Sequence, residues 1–271
     1  MLPYDYHLHT SFSSDSDTPM EDMIRQAIHL NLKTICFTEH YDMDWPDNED
    51  NFTFLVDTDK YQQKLYELKE KYKDCLEILF GIELGLQPHL KTRLINYAKS
   101  YPFDFIIGSS HLVDGIDPYY PVLFQKYSDE KATFHRYFEC ILDNLESFTN
   151  FDVCGHLDYV VRYAPHQEQY YNYLDYIDLI DCILKKCIEN NIGLELNTAG
   201  WKYGMSSPNP NLGILKRYRE LGGEILTIGS DAHKPEHIVW DFNRVPDFLK
   251  EAGFKYFTIF QKRKPIFLPL E

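Results

Sequence analysis

The chain of 271 residues carries eleven histidines, and they are unevenly placed. Six of them, His7, His9, His40, His111, His156 and His233, close or follow short apolar runs that read as β-strands, and Glu39, Glu83, Asp158, Glu195 and Asp231 fall in the same windows. One histidine at a strand end is usually a hydrogen-bonded structural residue. Six converging with carboxylates are different, because acids crowded into one mouth repel unless cations or protons separate them. Imidazole together with carboxylate is the ligand set of zinc, iron and manganese. His7-x-His9 puts two rings on one face of a strand, and Asp231-x-His233 repeats the spacing at a later strand end. The other histidines, His29, His89, His135 and His237 on predicted helices and His166 in a loop, read as solvated or structural. Asp15 and Asp17, in the run SFSSDSD, read from their neighbours as turn or helix-capping residues.

The elements that must position these groups alternate along the chain. Strands are predicted at Tyr4–Tyr6, Thr34–Phe37, Ile78–Ile82, Phe105–Gly108, Val153–Gly155, Ile192–Leu196 and Ile225–Gly229, with a late extra at Tyr256–Phe260. Helical periodicity fills 19–31, 58–74, 88–100, 129–149, 170–190, 211–222 and 235–252. Thr18-Pro19 offers an N-cap followed by proline, and Gly193, Gly222-Gly223 and Gly253 fall where helices should stop. Seven βα units within one domain of residues 1–271 imply a closed parallel barrel or a doubly wound sheet. In a barrel, the long loops at 41–57, 112–128 and 200–210 all emerge at one end, and that end holds the site.

Composition narrows the function classes. The net charge of −15 argues against nucleic acid and against an anionic membrane surface as partners, and it leaves metal ions as the natural source of positive charge for an anionic substrate. The six cysteines form no Cys-x-x-Cys pair; Cys36 and Cys154 lie in apolar runs, where a free thiol behaves as a small hydrophobe. The N-terminus MLPYDYHLHT has no basic-then-apolar signal, and no apolar stretch approaches membrane-spanning length, so a cytoplasmic protein with reduced thiols is expected.

The motifs DYHLHT (5–10), FTEH (37–40), GIELG (81–85), GSSH (108–111), CGHLD (154–158) and GSDAH (229–233) together resemble the polymerase and histidinol phosphatase (PHP) family of metal-dependent phosphoesterases. HLDYVVRY at 156–163 and ELNTAGW at 195–201 are similar to its histidinol-phosphate phosphatase branch. The resemblance implies an α/β fold, a distorted TIM-like (βα)7 barrel with three divalent ions, zinc, manganese or iron, at the C-terminal mouth. It implies that His7, His9, Glu83 and Asp231 hold the first ion, that Glu83 bridges to a second held by His111 and His156, and that Asp15, His40 and His233 hold the third. A carboxylate at Asp15 shifts preference toward harder ions. The implied reaction is hydrolysis of a small phosphate monoester, L-histidinol phosphate, by in-line attack of a metal-bridging hydroxide. Arg162 would grip the phosphate, Asn197 would orient phosphate or substrate, and Asp231 or His233 would relay the proton to the leaving group. Glu195, Glu39 and Asp158 are expected behind the ligands, orienting histidines. The rival readings are a PHP enzyme acting on phosphotyrosine peptide or a nucleotide, and a noncatalytic metal-binding regulator; an amidohydrolase would need a bridging lysine that no strand end supplies. Homo-oligomer formation stays open.

Overall fold

The computed structural model describes residues 2–46 and 53–270. Its strands β1 (Tyr4–Leu8), β2 (Thr34–Phe37), β3 (His40–Tyr41), β4 (Glu77–Gly85), β5 (Phe105–Ser109), β6 (Val153–Cys154), β7 (Gly193–Asn197) and β8 (Leu226–Gly229) are all parallel. Their order is β1-β2-β4-β5-β6-β7-β8, and β3 pairs with β4 beyond the end of β2. Helices and the barrel interior bury both faces of these strands, which is why β2 reads as the uninterrupted run TICF rather than as an alternation.

The outer helices are Met20–His29, Thr58–Tyr72, Lys91–Ser100, Glu130–Ser147, Ile177–Glu189, Leu212–Glu220 and Val245–Glu251. The first lays Met20, Met23, Ile24 and Ala27 against the barrel, a single stripe at helical spacing. Asp57 and Asp129 cap the second and fourth, accepting from Lys60 N (3.2 Å) and Ala132 N (2.8 Å). The Thr18 cap does not form: Pro19 occupies the N-cap position, and the Thr18 hydroxyl donates to the His233 carbonyl at 2.9 Å, tying the start of the helix to the mouth. Gly193 also differs from expectation, since it begins β7 and the preceding helix ends near Asn191.

Two predicted helices are shorter than their periodicity suggested. The 170–190 segment begins with a 3-10 turn at Tyr173–Tyr176, and its α-helix starts only at Ile177. In 235–252 only Val245–Glu251 is α-helical, because Val239 and Asp241 adopt left-handed backbone (φ 51° and 55°), which no α-helix accommodates. Conversely, the predicted loops 112–128 and 200–210 contain or border the short helices Val122–Lys126 and Ala199–Lys202.

The barrel is closed unevenly between its first and last strands. Strands β1 and β8 meet at the mouth, where Leu8 bridges Ala232, His9 N donates to the Ala232 carbonyl (3.0 Å) and Ala232 N to that of His7 (3.4 Å). Beside this bridge the buried carboxylate of Asp5 accepts from Ser230 N and Val239 N, each at 3.0 Å, taking the place of ladder bonds. Lower down the seam is filled by β9 (Tyr256–Gln261), which pairs antiparallel with β10 (Lys264–Pro269). Tyr6 Oη donates to the Phe260 carbonyl (3.0 Å), Leu226 N donates to Thr258 Oγ1 (3.1 Å), and the Phe260 ring lies 5.2 Å from that of Phe105. The two-residue turn Lys262-Arg263 has left-handed backbone at both positions, the geometry that matches strand twist in a tight hairpin. The register turns the positions of Pro265 and Pro269 away from β9, so their missing N–H groups cost no ladder bond and blunt the outer edge.

Phe260 is 2% exposed and belongs to this plug. Phe260→Ala should lower unfolding stability by about 3–5 kcal/mol, the range for emptying a buried aromatic site. Urea denaturation followed by circular dichroism measures it, and a loss below about 1 kcal/mol would mean that the hairpin does not support the barrel.

Candidate metal centre and substrate cavity

The strand ends bring the predicted residues to one point. Glu83, near the end of β4, is fully buried, and five imidazoles surround it. Its Oε2 lies 3.2 Å from His7 Nε2, 3.5 Å from His9 Nε2 and 3.1 Å from His40 Nδ1. Its Oε1 lies 3.2 Å from His111 Nε2 and 3.0 Å from His156 Nε2. Asp231 Oδ1 stands 3.8 Å from His7 Nε2 and 3.6 Å from His9 Nε2. At the rim, Asp15 Oδ2 is 3.0 Å from His233 Nε2 and 3.5 Å from His40 Nε2. The structure therefore places all nine sequence-predicted ligands in one cluster, in three overlapping groups centred on Glu83, Asp231 and Asp15. Backbone constraints mark the same place. Asp231 is left-handed (φ 55°), and Gly229 admits no side chain, because a Cβ there would collide with His7 and Glu195.

Hydrogen bonds from behind set the ring tautomers. His7 Nδ1–H donates to Glu195 Oε1 (2.5 Å), and His111 Nδ1–H donates to Asp42 Oδ1 (2.7 Å). His233 Nδ1–H donates to the Asp231 carbonyl (3.1 Å). His9 Nδ1–H donates to Ser13 Oγ (3.2 Å), whose own proton goes to Glu39 Oε2 (2.6 Å). Each arrangement leaves Nε2 as the lone-pair nitrogen aimed into the cluster. His7 Nε2, His9 Nε2, His233 Nε2 and Glu83 Oε2 are buried with no hydrogen-bond partner. Orphaned acceptors of this kind are costly unless something electropositive meets them. The donor set, imidazole nitrogen with carboxylate oxygen and oriented from behind, fits divalent ions.

The electrostatics show the same competition. Burial disfavours the charged form of His7, yet Glu195, Glu83 and Asp231 raise its pKa well above the usual value. His111 is likewise opposed by burial and is raised by Asp42 and Glu83 to about 10. His9 goes the other way, lowered by burial and by the neighbouring rings of His40, His233 and His7. Burial works against ionisation of Glu83 and Asp231, but the imidazoles around them hold both carboxylates well below the ordinary range.

Above the cluster opens a cavity of about 670 Å³ that draws on all three long loops, although residues 47–52 of the first lie outside the described residues. Arg162 lines it, with its guanidinium 4.9 Å from the ring centroids of both Tyr159 and Tyr203 and Nη1 donating to Asp231 Oδ2 at 3.4 Å. Asn197 does not face the cavity. It is fully buried, its Nδ2 donates to Glu195 Oε2 (3.2 Å) and Asp231 Oδ2 (3.4 Å), and its Oδ1 accepts from Ala199 N (3.0 Å). Asp158 orients no histidine; it accepts from Asn209 and Asn211 instead. His237, read from the sequence as solvated or structural, lies at the cavity wall.

Among the cavity residues that sequence reasoning missed, three are charged and buried or half-buried. Asp42 sits two positions after His40, a spacing that could have drawn attention to it. Lys202 reaches the Asp231 carbonyl (3.1 Å) from the short helix after β7, and no strand-end pattern marks it. Asp117 is a buried acid on the 112–128 loop; burial raises it to about 6, and a hydrogen bond from Tyr119 N lowers it in part.

Comparison with known proteins places these observations. The PHP domain family model matches residues 5–199. The chain is 34% identical over 263 residues to a Clostridium acetobutylicum protein named probable histidinol-phosphatase, covering 97% of this chain and 98% of that one. It is 29% identical to the histidinol-phosphatase of Lactococcus lactis, covering 97% and 96%. The crystal structure of histidinol phosphate phosphatase from Lactococcus lactis, complexed with zinc, L-histidinol and phosphate, superposes with a TM-score of 0.89 at 28% identity, covering 98% of this chain and all of that one.

Because neighbouring carboxylates raise the pKa of His7 and of His111, protons compete with metal ions for these rings, and metal uptake should displace protons. Titrating zinc into metal-free protein at pH 7 in two buffers of different ionisation enthalpy should show net proton release that grows as the pH is lowered from 8. Equal apparent enthalpies in both buffers would contradict it.

Proposed function

Since the chain belongs to the PHP domain family, we infer that it is a metal-dependent phosphomonoesterase that hydrolyses L-histidinol phosphate to L-histidinol and phosphate, a reaction of histidine biosynthesis. The observation that carries this reading is Glu83, a buried carboxylate with five imidazoles around it, at the floor of a cavity that also holds a buried arginine. His7, His9, Glu83 and Asp231 would hold one ion, Glu83 with His111 and His156 a second, and Asp15, His40 and His233 a third. Bound there, divalent ions supply charge that neutralises a phosphate dianion, and they lower the pKa of a coordinated water toward about 7.

The chain's own residues do the rest. Arg162 presents a planar fork of donors to the nonbridging phosphate oxygens, and Lys202 adds a second positive charge nearby. Asp231 is kept ionised against its burial by His7, His233, Arg162 and Lys202, so it can accept a hydrogen bond from the attacking water and relay a proton to the departing alkoxide oxygen. Asn197 and Arg162 both bind Asp231 Oδ2 and fix the carboxylate for that transfer. His233 remains the alternative carrier. From the 112–128 loop, Asp117 and Tyr119 line the same cavity and supply an acidic, aromatic surface suited to the cationic amine and imidazole of histidinol.

Phosphate release from L-histidinol phosphate by the manganese-loaded protein should exceed release from phosphotyrosine several hundredfold. Similar rates would leave the phosphomonoesterase and remove the substrate. Glu83→Ala should abolish turnover and lower metal content, whereas Arg162→Ala should raise KM with metal retained. Loss of metal in Arg162→Ala would make that residue structural.

A pH dependence follows from Asp117. Its carboxyl gains charge as pH rises through about 6, so the KM for histidinol phosphate should fall across that range more steeply in the wild type than in Asp117→Asn. Parallel pH profiles for the two proteins would take Asp117 out of substrate binding.

A further inference from the structure

Arg162 is the most deeply buried cation of the cavity, with its side chain 2% exposed. Its Nη1 already donates to Asp231 Oδ2 at 3.4 Å, and a second carboxylate that could seize the rest of the guanidinium is close at hand. Asp158, fully buried at the start of the same turn, carries two acceptor oxygens and stands four residues before Arg162. The two do not pair directly. Asn209 lies between them: its Nδ2 donates to Asp158 Oδ1 at 2.6 Å, and its Oδ1 accepts from Arg162 Nη2 at 3.2 Å. An amide suits this position, since the carboxylate solely accepts, the guanidinium solely donates, and the amide offers a donor to one and an acceptor to the other. The same contacts settle which way the amide faces.

Asn209 is itself held on every side. It is fully buried, its main chain exchanges hydrogen bonds with Asn197 (2.9 and 2.7 Å), and the second oxygen of Asp158 accepts from Asn211 N at 3.0 Å. On the other side of the guanidinium, Nε has no partner, and Tyr159 and Tyr203 flank its plane. The arginine is thus fixed in place while part of its donor set stays uncommitted.

We propose that Asn209, oriented by Asp158, is a positioning residue that acts through Arg162: it holds the guanidinium in phosphate-binding geometry while keeping it out of a neutralising ion pair with Asp158. This rests on the reading of Arg162 as the phosphate-binding cation. Direct contact with Asp158 would turn the fork away from the substrate and cancel its charge. Through the neutral amide, the same carboxylate contributes orientation without neutralisation.

A double-mutant cycle on the metal-loaded protein tests this, with inorganic phosphate as the competitive inhibitor and histidinol phosphate as substrate. Asn209→Ala should raise the phosphate inhibition constant and KM roughly tenfold, the weight of a hydrogen bond to a charged group, with metal content unchanged. In the Arg162→Ala background the same substitution should have almost no further effect. Additive losses would overturn the proposal while leaving Arg162 as the phosphate-binding cation; no effect of Arg162→Ala on phosphate inhibition would overturn both readings. If Asn209→Ala does not fold, Asp158→Asn enters the same cycle, with the same non-additivity expected. Asn209→Leu, close in volume but without donor or acceptor, separates positioning from packing: it should be as poor for phosphate as Ala, whereas a residue that only fills space would be restored by Leu.

Discussion

A carboxylate buried without compensation costs several kcal/mol, and Glu83 is a carboxylate at zero exposure. Much of the mouth follows from meeting that cost. Imidazoles from the ends of β1, β5 and β6 and from β3 approach its two oxygens, and a parallel barrel is an arrangement in which so many chain segments can point their last side chains at one atom group. The rings must in turn be held with the correct nitrogen inward, which accounts for Glu195, Asp42 and the Ser13–Glu39 pair behind them. The outcome is a centre where protons and divalent ions compete for the same lone pairs.

The cavity above divides its work by charge. Arg162 and Lys202 both touch Asp231, while the acid Asp117 lines the cavity from the 112–128 loop, so the wall offers contacts to an anionic and to a cationic group. In a chain of net charge −15, these two cations matter more than their number suggests. Each is buried or half-buried, and each touches Asp231, so the site's positive charge is set against a buried carboxylate of the strand-end cluster.

The strands and most of the ligands were legible because both depend on local pattern: an apolar run buried on two faces, then a histidine or acid as it ends. Asp15 was not, since its neighbours Ser13, Ser14 and Ser16 read as a turn and only the path of that turn carries its carboxylate to His233. Asp42, Asp117 and Lys202 escaped for the same reason, their roles being set by which loop lies over which strand end. Asp158 was placed behind a histidine on sequence adjacency to His156, but the chain turns between them and delivers it to Asn209. The strand β10 was missed because two prolines argue against pairing, and an edge position removes the objection.

The plug beneath the barrel has a further consequence, for the order of events during synthesis. His7 and His9 belong to the first strand of the barrel and Asp231 and His233 follow the last, and β9, which fills the seam between those strands, comes after all of them in chain order. The nascent chain can form helices and pair neighbouring strands as they emerge, but it cannot close the ring that brings the first ligands to the last. Ion loading therefore waits until β8 and β9 have joined β1, and shorter nascent chains expose imidazoles and acids that have not yet found one another.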